Sequence, residues 1–263
     1  MVVSTPITPN QLTIASLCSG AAAAWCYLDG TAAQNVVAGL LISLKDVLDS
    51  ADGQLARAKE QFSRAGRFLD SITDFVVNAF AFGAMGFALF TAANSFALLA
   101  LATLAFLGTT LRVSYHVFYH TSFLHVANLY EVNRVTEELR DEDLLQDVST
   151  LRLQRIFQAL YGWQDRMMMR LDGWCRATIG SSDVDRKRWF GDRIALRLSG
   201  LLGLGTELFV LTIFSIANKI ETYLWVNVFA LNALWFANIL YRRSVLARRI
   251  NGLRPHRAGE PSV

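Results

Sequence analysis

The sequence predicts an all-α protein: a polytopic membrane bundle of six transmembrane helices with a helical cytoplasmic insert. Two observations carry that prediction. Of 263 residues, 53% are hydrophobic and only 18% charged, with a mean hydropathy of +0.31, whereas a soluble domain has roughly a quarter charged residues. The apolar residues also run together, as in "FVVNAFAFGAMGFALF" and "FALLALATLAFLGTTL", and about 20 such residues span the bilayer as a helix.

In chain order the expected spans are about 11–29, 34–51, 73–91, 94–115, 194–217 and 221–241. The first lacks a basic leader and a processing context, so it reads as a span rather than a cleavable signal. Three parts follow. Residues 1–116 hold spans one to four, 117–193 form a polar and amphipathic insert, and 194–263 hold the last two spans and a basic tail.

Within the insert, the acidic "EELRDEDLLQD" precedes "LRLQRIFQALYGWQDRMMMRLDGW". There Ile156, Leu160 and Trp163 recur at near-helical spacing among Arg152, Arg155, Arg166 and Arg170. That pattern fits a helix lying among headgroups, or equally a hairpin packed on the membrane domain. The run Met167 to Met169 reads as packing.

Charge sets the orientation. The loops near 30–33, 92–93 and 218–220 carry one basic residue, Lys219. The opposite side carries Arg57, Lys59, Arg64 and Arg67, the insert, and Arg242, Arg243, Arg248, Arg249, Arg254 and Arg257. The positive-inside rule places that side and both termini in the cytoplasm. The net charge of +3 follows from juxtamembrane arginines facing anionic lipid. No basic stripe with interleaved aromatics points to nucleic acid. Cys18, Cys26 and Cys175 have no metal-site spacing and one lacks a mate, which argues against disulfides and structural zinc.

The chemistry lies in "LDSADGQLARAKEQFSRAGRFLDSITD". Asp49 and Asp52 share a helical face, as do Asp70 and Asp74 on the next helix. A short basic turn between them makes the helices antiparallel neighbours, so four carboxylates meet at one end of the bundle. Each aspartate costs roughly 2.5–3.5 kcal/mol at a bilayer centre and less near its surface, so the cluster needs cations. An all-oxygen set favours magnesium or manganese, and four carboxylates can hold two ions, an arrangement suited to phosphoryl chemistry. Gly53, Ala56 and Gly66 let a ligand or a neighbouring helix come close, and Arg57 could balance phosphate. The bland alternative is a helix pair held by salt bridges to Arg57, Arg64 and Arg67.

The pattern D-x2-D-G-x2-A-R-x8-G-x3-D-x3-D, formed by Asp49, Asp52, Gly53, Ala56, Arg57, Gly66, Asp70 and Asp74, resembles the signature of the CDP-alcohol phosphotransferases, membrane enzymes of phospholipid headgroup synthesis. Every fixed position matches. "TPNQLT", with Pro9, Asn10 and Thr13, also resembles a short sequence common before the family's first span. The resemblance covers about residues 8–115 and is only architectural beyond.

The resemblance implies that Asp49, Asp52, Asp70 and Asp74 ligate the metal, with Asp74 also the general base. Gly53, Ala56, Arg57 and Gly66 would line the cytidine diphosphate, with Asn10 and Thr13 near the nucleotide. It further implies two Mg²⁺ or Mn²⁺ ions, a CDP-alcohol such as CDP-diacylglycerol, an alcohol acceptor, CMP as product, a homodimer, and a bacterial inner-membrane setting. The same signature serves enzymes that pass a headgroup from CDP-choline or CDP-ethanolamine to diacylglycerol. A divalent-cation transporter would use carboxylates too, though nearer mid-membrane.

For a phosphorylated acceptor, Arg112, Arg193 and Arg197 are the candidate contacts, with membrane-interface anchoring as their alternative. His116 and His120 share a helical face, with His125 beyond, and Glu207 lies inside the fifth span without an identifiable partner.

Overall fold

The computed structural model describes residues 6–61, 63–129, 135–180 and 182–252. Arg254 and Arg257 of the basic tail lie outside them. Among the described residues the regular structure is helical: α1 (Pro9–Asp29), α2 (Ala32–Ala58), α3 (Arg64–Ala93), α4 (Phe96–Val126), α5 (Val148–Cys175), α6 (Asp183–Phe190), α7 (Arg193–Gly200) and α8 (Leu204–Ile216). A last helix, α9, runs Ile220–Gly252 and includes two π-helical stretches, Asn227–Leu231 and Tyr241–Leu246.

Local sequence explains the helix starts. Thr8 caps α1 in a reciprocal box with Gln11, and Pro9 occupies the first turn, where its missing N–H costs nothing. Ser63 caps α3 through the Gly66 amide, 3.0 Å, and Asp192 caps α7 through the Ala195 amide, 2.8 Å. Gly30, at φ +68°, ends α1 in the left-handed conformation that glycine adopts without strain.

Helices α3, α4 and α9 are long and apolar enough to cross a membrane, and α7 with α8 forms a fourth candidate bent by 42° at its break. Of the six spans expected, three or four are thus supported by length and composition among the described residues. Helix α2 carries Lys45, Asp46, Asp49 and Asp52 through its second half, and α1 is dominated by alanine and small polar residues. The expected continuous span 194–217 is broken too. Gly203 begins α8, and a Cβ there would come 3.2 Å from the His116 ring. Helix α4 also outruns its expected end at 115, so the boundary at 117 falls inside a helix.

Two cores hold the bundle. One gathers Tyr27, Ile42, Phe82, Met85, Leu211 and Tyr223; the other gathers Tyr115, Tyr119, Met168, Trp189, Leu202 and Trp235. Large apolar side chains such as Trp25, Phe80, Phe96, Leu104, Phe209 and Phe229 instead face outward, as a lipid-facing surface does. Helices meet through small residues. At Gly39 an added Cβ would lie 2.7 Å from the Ser215 Cβ, and Ser215 also bonds the Tyr27 hydroxyl, 2.6 Å. Because that Cβ cannot rotate away, Gly39→Ala should cost about 1–3 kcal/mol, read as a lower melting temperature in detergent. Gly83→Ala, with open space around it, should be neutral or slightly stabilising.

The insert packs on the bundle. Helix α5 lies against α3 and α4, with Phe157 5.3 Å from Phe68 and Tyr161 5.8 Å from Phe75 between ring centres. The Tyr161 hydroxyl donates to the Ser71 carbonyl, 2.9 Å. The inward face is therefore Phe157, Tyr161, Gln164 and Met168. Ile156 and Trp163 of the near-helical stripe are about half exposed. The acidic stretch ahead of α5 latches onto α3: Arg64 pairs with Glu137 (2.6 Å) and Asp143 (2.8 Å), and Arg67 pairs with Glu137.

Candidate active site

Helices α2 and α3 bring the aspartates in from opposite directions, but they scarcely touch each other; both rest on α1. The expectation of directly packed neighbours gives way to a space between them. Asp49, Asp70 and Asp74 reach across it, each with one carboxylate oxygen within 4.8 Å of the others. At an effective dielectric of 20, two unit charges at that distance repel by roughly 3 kcal/mol. Asp52 sits beside this trio, its Oδ2 accepting a bond from the Thr13 hydroxyl at 2.5 Å. The same hydroxyl lies 3.2 Å from the Pro9 carbonyl, one turn earlier in α1.

The cation that offsets this charge within the protein is Lys45, which sequence reasoning missed. It is 1% exposed, and its Nζ lies 3.4 Å from Asp49 Oδ2 and pairs with Asp74. The signal was present as a lone lysine in an apolar run, one turn before Asp49. Ser16, likewise missed, donates to Asp49 Oδ1 at 3.0 Å. Arg64 and Arg67, the partners of the salt-bridge alternative, are committed to Glu137 and Asp143 instead.

Oxygen donors converging from two helices fit a hard divalent ion. Asp70 Oδ1 adds a sharper sign, since it is buried without a hydrogen-bond partner. Unpaired buried oxygens are costly unless something fills the position.

Two cavities meet here. The smaller, about 220 Å³, is walled by Asn10, Thr13, Asp52, Gly53, Ala56 and Arg57, with Gly66 at its rim. Six of the eight signature residues, all but Asp49 and Asp74, thus line one space with the short motif of α1. The larger, about 580 Å³, lies between α3, α4 and α5, with Asp74, Asn78, Ser114, His116, His120 and Tyr161 among its lining. Asp70, Arg57 and Arg67 belong to both.

The three acceptor candidates are placed elsewhere. Arg112 is wholly buried and its donors are all engaged: Nε and Nη2 by Glu207 (2.8 and 2.6 Å), Nη1 by Asn227 O (3.2 Å) and Asn232 Oδ1 (2.5 Å), and Nη2 also by Thr109 (3.2 Å). Its partner is the Glu207 that the sequence left unmatched. Arg193 and Arg197 are exposed and line neither cavity. His116 and His120 do line the larger one, their rings stacked at 5.6 Å.

Outside the spans, α5 contributes Asp165, whose carboxyl is pushed up to about 6, first by burial and then by Glu137 and Glu138. Burial also raises the Tyr161 phenol. Neither residue was foreseen, because nothing in the insert's sequence says which of its polar residues turn inward.

Residues 6–129 match the family model for CDP-alcohol phosphatidyltransferase. This segment is a CDP-alcohol phosphatidyltransferase domain. Over 74 residues, 28% of this chain and 37% of the relative, it is 39% identical to the archaetidylinositol phosphate synthase of Pyrococcus horikoshii. Over 68 residues, 26% of this chain and 15% of the relative, it is 38% identical to the bifunctional IPC transferase and DIPP synthase of Thermococcus kodakarensis. A protein of the same name from Archaeoglobus fulgidus is 37% identical over 68 residues, 13% of its length. The matches thus span well under half of each of these relatives. The matched segment includes α3 and α4, two of the helices long and apolar enough to cross a membrane. Its relatives are archaeal, so a bacterial inner membrane loses its support. The insert lies beyond the matched residues.

Proposed function

We propose that the protein transfers a phosphatidyl group from a CDP-alcohol, CDP-diacylglycerol, to the hydroxyl of an alcohol, releasing CMP. One observation carries this reading: Asp70 borders both cavities, while Asp52 borders the smaller and Asp74 the larger. A two-substrate displacement needs two spaces that meet at the reacting phosphorus, and the aspartates stand where these meet. The names of the relatives, an archaetidylinositol phosphate synthase among them, support headgroup transfer onto a lipid rather than ion passage.

Asp49, Asp52, Asp70 and Asp74 would hold two Mg²⁺ or Mn²⁺ ions, which when bound neutralise the pyrophosphate and stabilise the leaving CMP. The smaller cavity takes the cytidine diphosphate. Gly53 leaves room over α2, and Arg57, whose guanidinium lies 3.9 Å from the position of a Cβ there, meets phosphate oxygen. Asn10 and Thr13 close the nucleotide end, and Gly66 keeps the start of α3 low.

Asp74 accepts the proton of the acceptor hydroxyl as the new O–P bond forms and the P–O bond to CMP breaks. Lys45 holds the carboxylates in place and moderates their charge. By the positive-inside rule, the arginines on the aspartate side of the bundle support a cytoplasmic face for the site.

The test is CMP release by protein purified in detergent with Mg²⁺, supplied with CDP-diacylglycerol and a panel of alcohols. Acceptor-dependent release, abolished by chelator and restored by Mg²⁺, is the expected result. Release only from CDP-choline or CDP-ethanolamine with diacylglycerol would reverse the substrates. Divalent-ion flux without CMP release from any pair would replace the enzyme with a transporter.

A further inference from the structure

Part of the wall of the larger cavity is built by the insert, and its chemistry is unlike that of a phosphate site. Arg57 and Arg67 are the arginines that line it among the described residues, both at the end shared with the smaller cavity, and Arg67 is paired with Glu137. Arg112 is used up inside the bundle, and Arg193 and Arg197 lie elsewhere. A phosphorylated acceptor would find little free positive charge here.

What α5 presents instead is Asp165 among aromatic rings. Asp165 lines the cavity with Tyr161, Phe157 and Phe75. The three rings form one cluster, Tyr161 lying 4.9 Å from Phe157 and 5.8 Å from Phe75 between centres. Among the described residues no hydrogen bond or close ion pair engages the Asp165 carboxylate, and only the charges of Arg166 and Arg67 act on it favourably from nearby. A partly buried carboxylate facing a cavity with no hydrogen-bonded partner favours a cationic ligand there. A carboxylate beside aromatic faces is the combination that receives an ammonium group, by charge and by cation–π attraction.

Resting on the transferase reading, we propose that the acceptor is an amino alcohol, with Asp165 and the aromatic cluster of α5 binding its ammonium group. The hydroxyl then points back towards Asp74, which lines the same cavity. Because Asp165 lies outside the matched domain, acceptor choice is a property of this chain's own insert.

The test compares choline and ethanolamine with inositol and glycerol, and with glycerol 3-phosphate and inositol 1-phosphate, as acceptors for CDP-diacylglycerol. Wild-type, Asp165→Asn and Asp165→Glu proteins are assayed, with melting temperatures recorded as a check on folding. The amino alcohols should give the highest kcat/KM. Asp165→Asn should raise their KM about tenfold or more while kcat stays within about threefold, and Asp165→Glu should restore much of the loss. Independently of activity, choline chloride should raise the melting temperature of the wild type above sodium chloride of equal ionic strength, and should not do so for Asp165→Asn. Preference for a phosphorylated acceptor or an uncharged polyol overturns the proposal while leaving the transferase reading intact. If no donor and acceptor release CMP, that reading falls, and the choline melting shift still decides whether the ammonium site exists.

Discussion

Asp74→Asn should reduce kcat for CMP release by on the order of 10²–10⁴-fold, the range that a positioned general base contributes, while the KM for the CDP-alcohol changes little. The expectation rests on how the carboxylates are sorted. Asp74 lines the larger cavity and does not line the smaller one, so its loss removes the proton acceptor without disturbing the nucleotide wall. The amide can still accept the Lys45 bond that Asp74 now takes, so folding should survive. Asp52→Asn should behave differently, because Asp52 lines the smaller cavity and is tied to Thr13; there the KM for the donor should rise as well. A melting curve with and without Mg²⁺ separates the metal role from the base role. Wild-type protein should gain stability from the ion through mass action, and both variants should gain less. An Asp74→Asn protein that turns over at the wild-type rate would remove Asp74 from the chemistry.

Glu207→Ala should be the most damaging single change for stability, costing about 3–5 kcal/mol, the usual result of stripping one partner from a buried ion pair. Arg112 would keep its charge with 0% exposure and lose the carboxylate that meets both Nε and Nη2. The damage should spread, because Asn227 Nδ2 also donates to Glu207 Oε2, 3.0 Å. Arg112 Nη1 also bonds the carbonyl of Asn227, where a π-helical stretch of α9 begins. One pair thus ties α4, α8 and α9 together. Glu207→Gln keeps hydrogen-bonding oxygen and should cost less. The double variant Arg112→Met with Glu207→Leu should recover most of the loss or exceed wild type, since apolar replacements of buried pairs are often neutral or stabilising. Melting temperatures of the two single variants and the double in detergent supply the coupling energy directly. Equal melting temperatures for wild type and Glu207→Ala would show the pair to be energetically idle.

Lys45 and Arg112 mark the limits of what spacing conveys. Both are lone cations in apolar runs, and each has carboxylates at plausible range. Lys45 is one turn from Asp49, so its partner was legible in principle. Arg112 finds Glu207 95 residues away, a pairing that depends on where α8 restarts after the break at Gly200 to Gly203. The same limit applies to α5. Its apolar residues point two ways, and the choice of Phe157, Tyr161 and Met168 over Ile156 and Trp163 was made by the rings and carbonyls of α3 and α4.

By itself the sequence determined the helical class, the aspartate face of each helix and the signature that marks a CDP-alcohol phosphatidyltransferase domain. Those properties follow from short-range spacing: 3.6 residues per turn, a cap or glycine at a helix end, and carboxylates three or four positions apart. Only the tertiary structure decided that α2 and α3 stand apart on α1, that Lys45 lies between Asp49 and Asp74, and that the insert closes the second cavity with Asp165. These depend on which distant surfaces come together, and such contacts are set by packing across tens of residues rather than by the periodicity of any one segment.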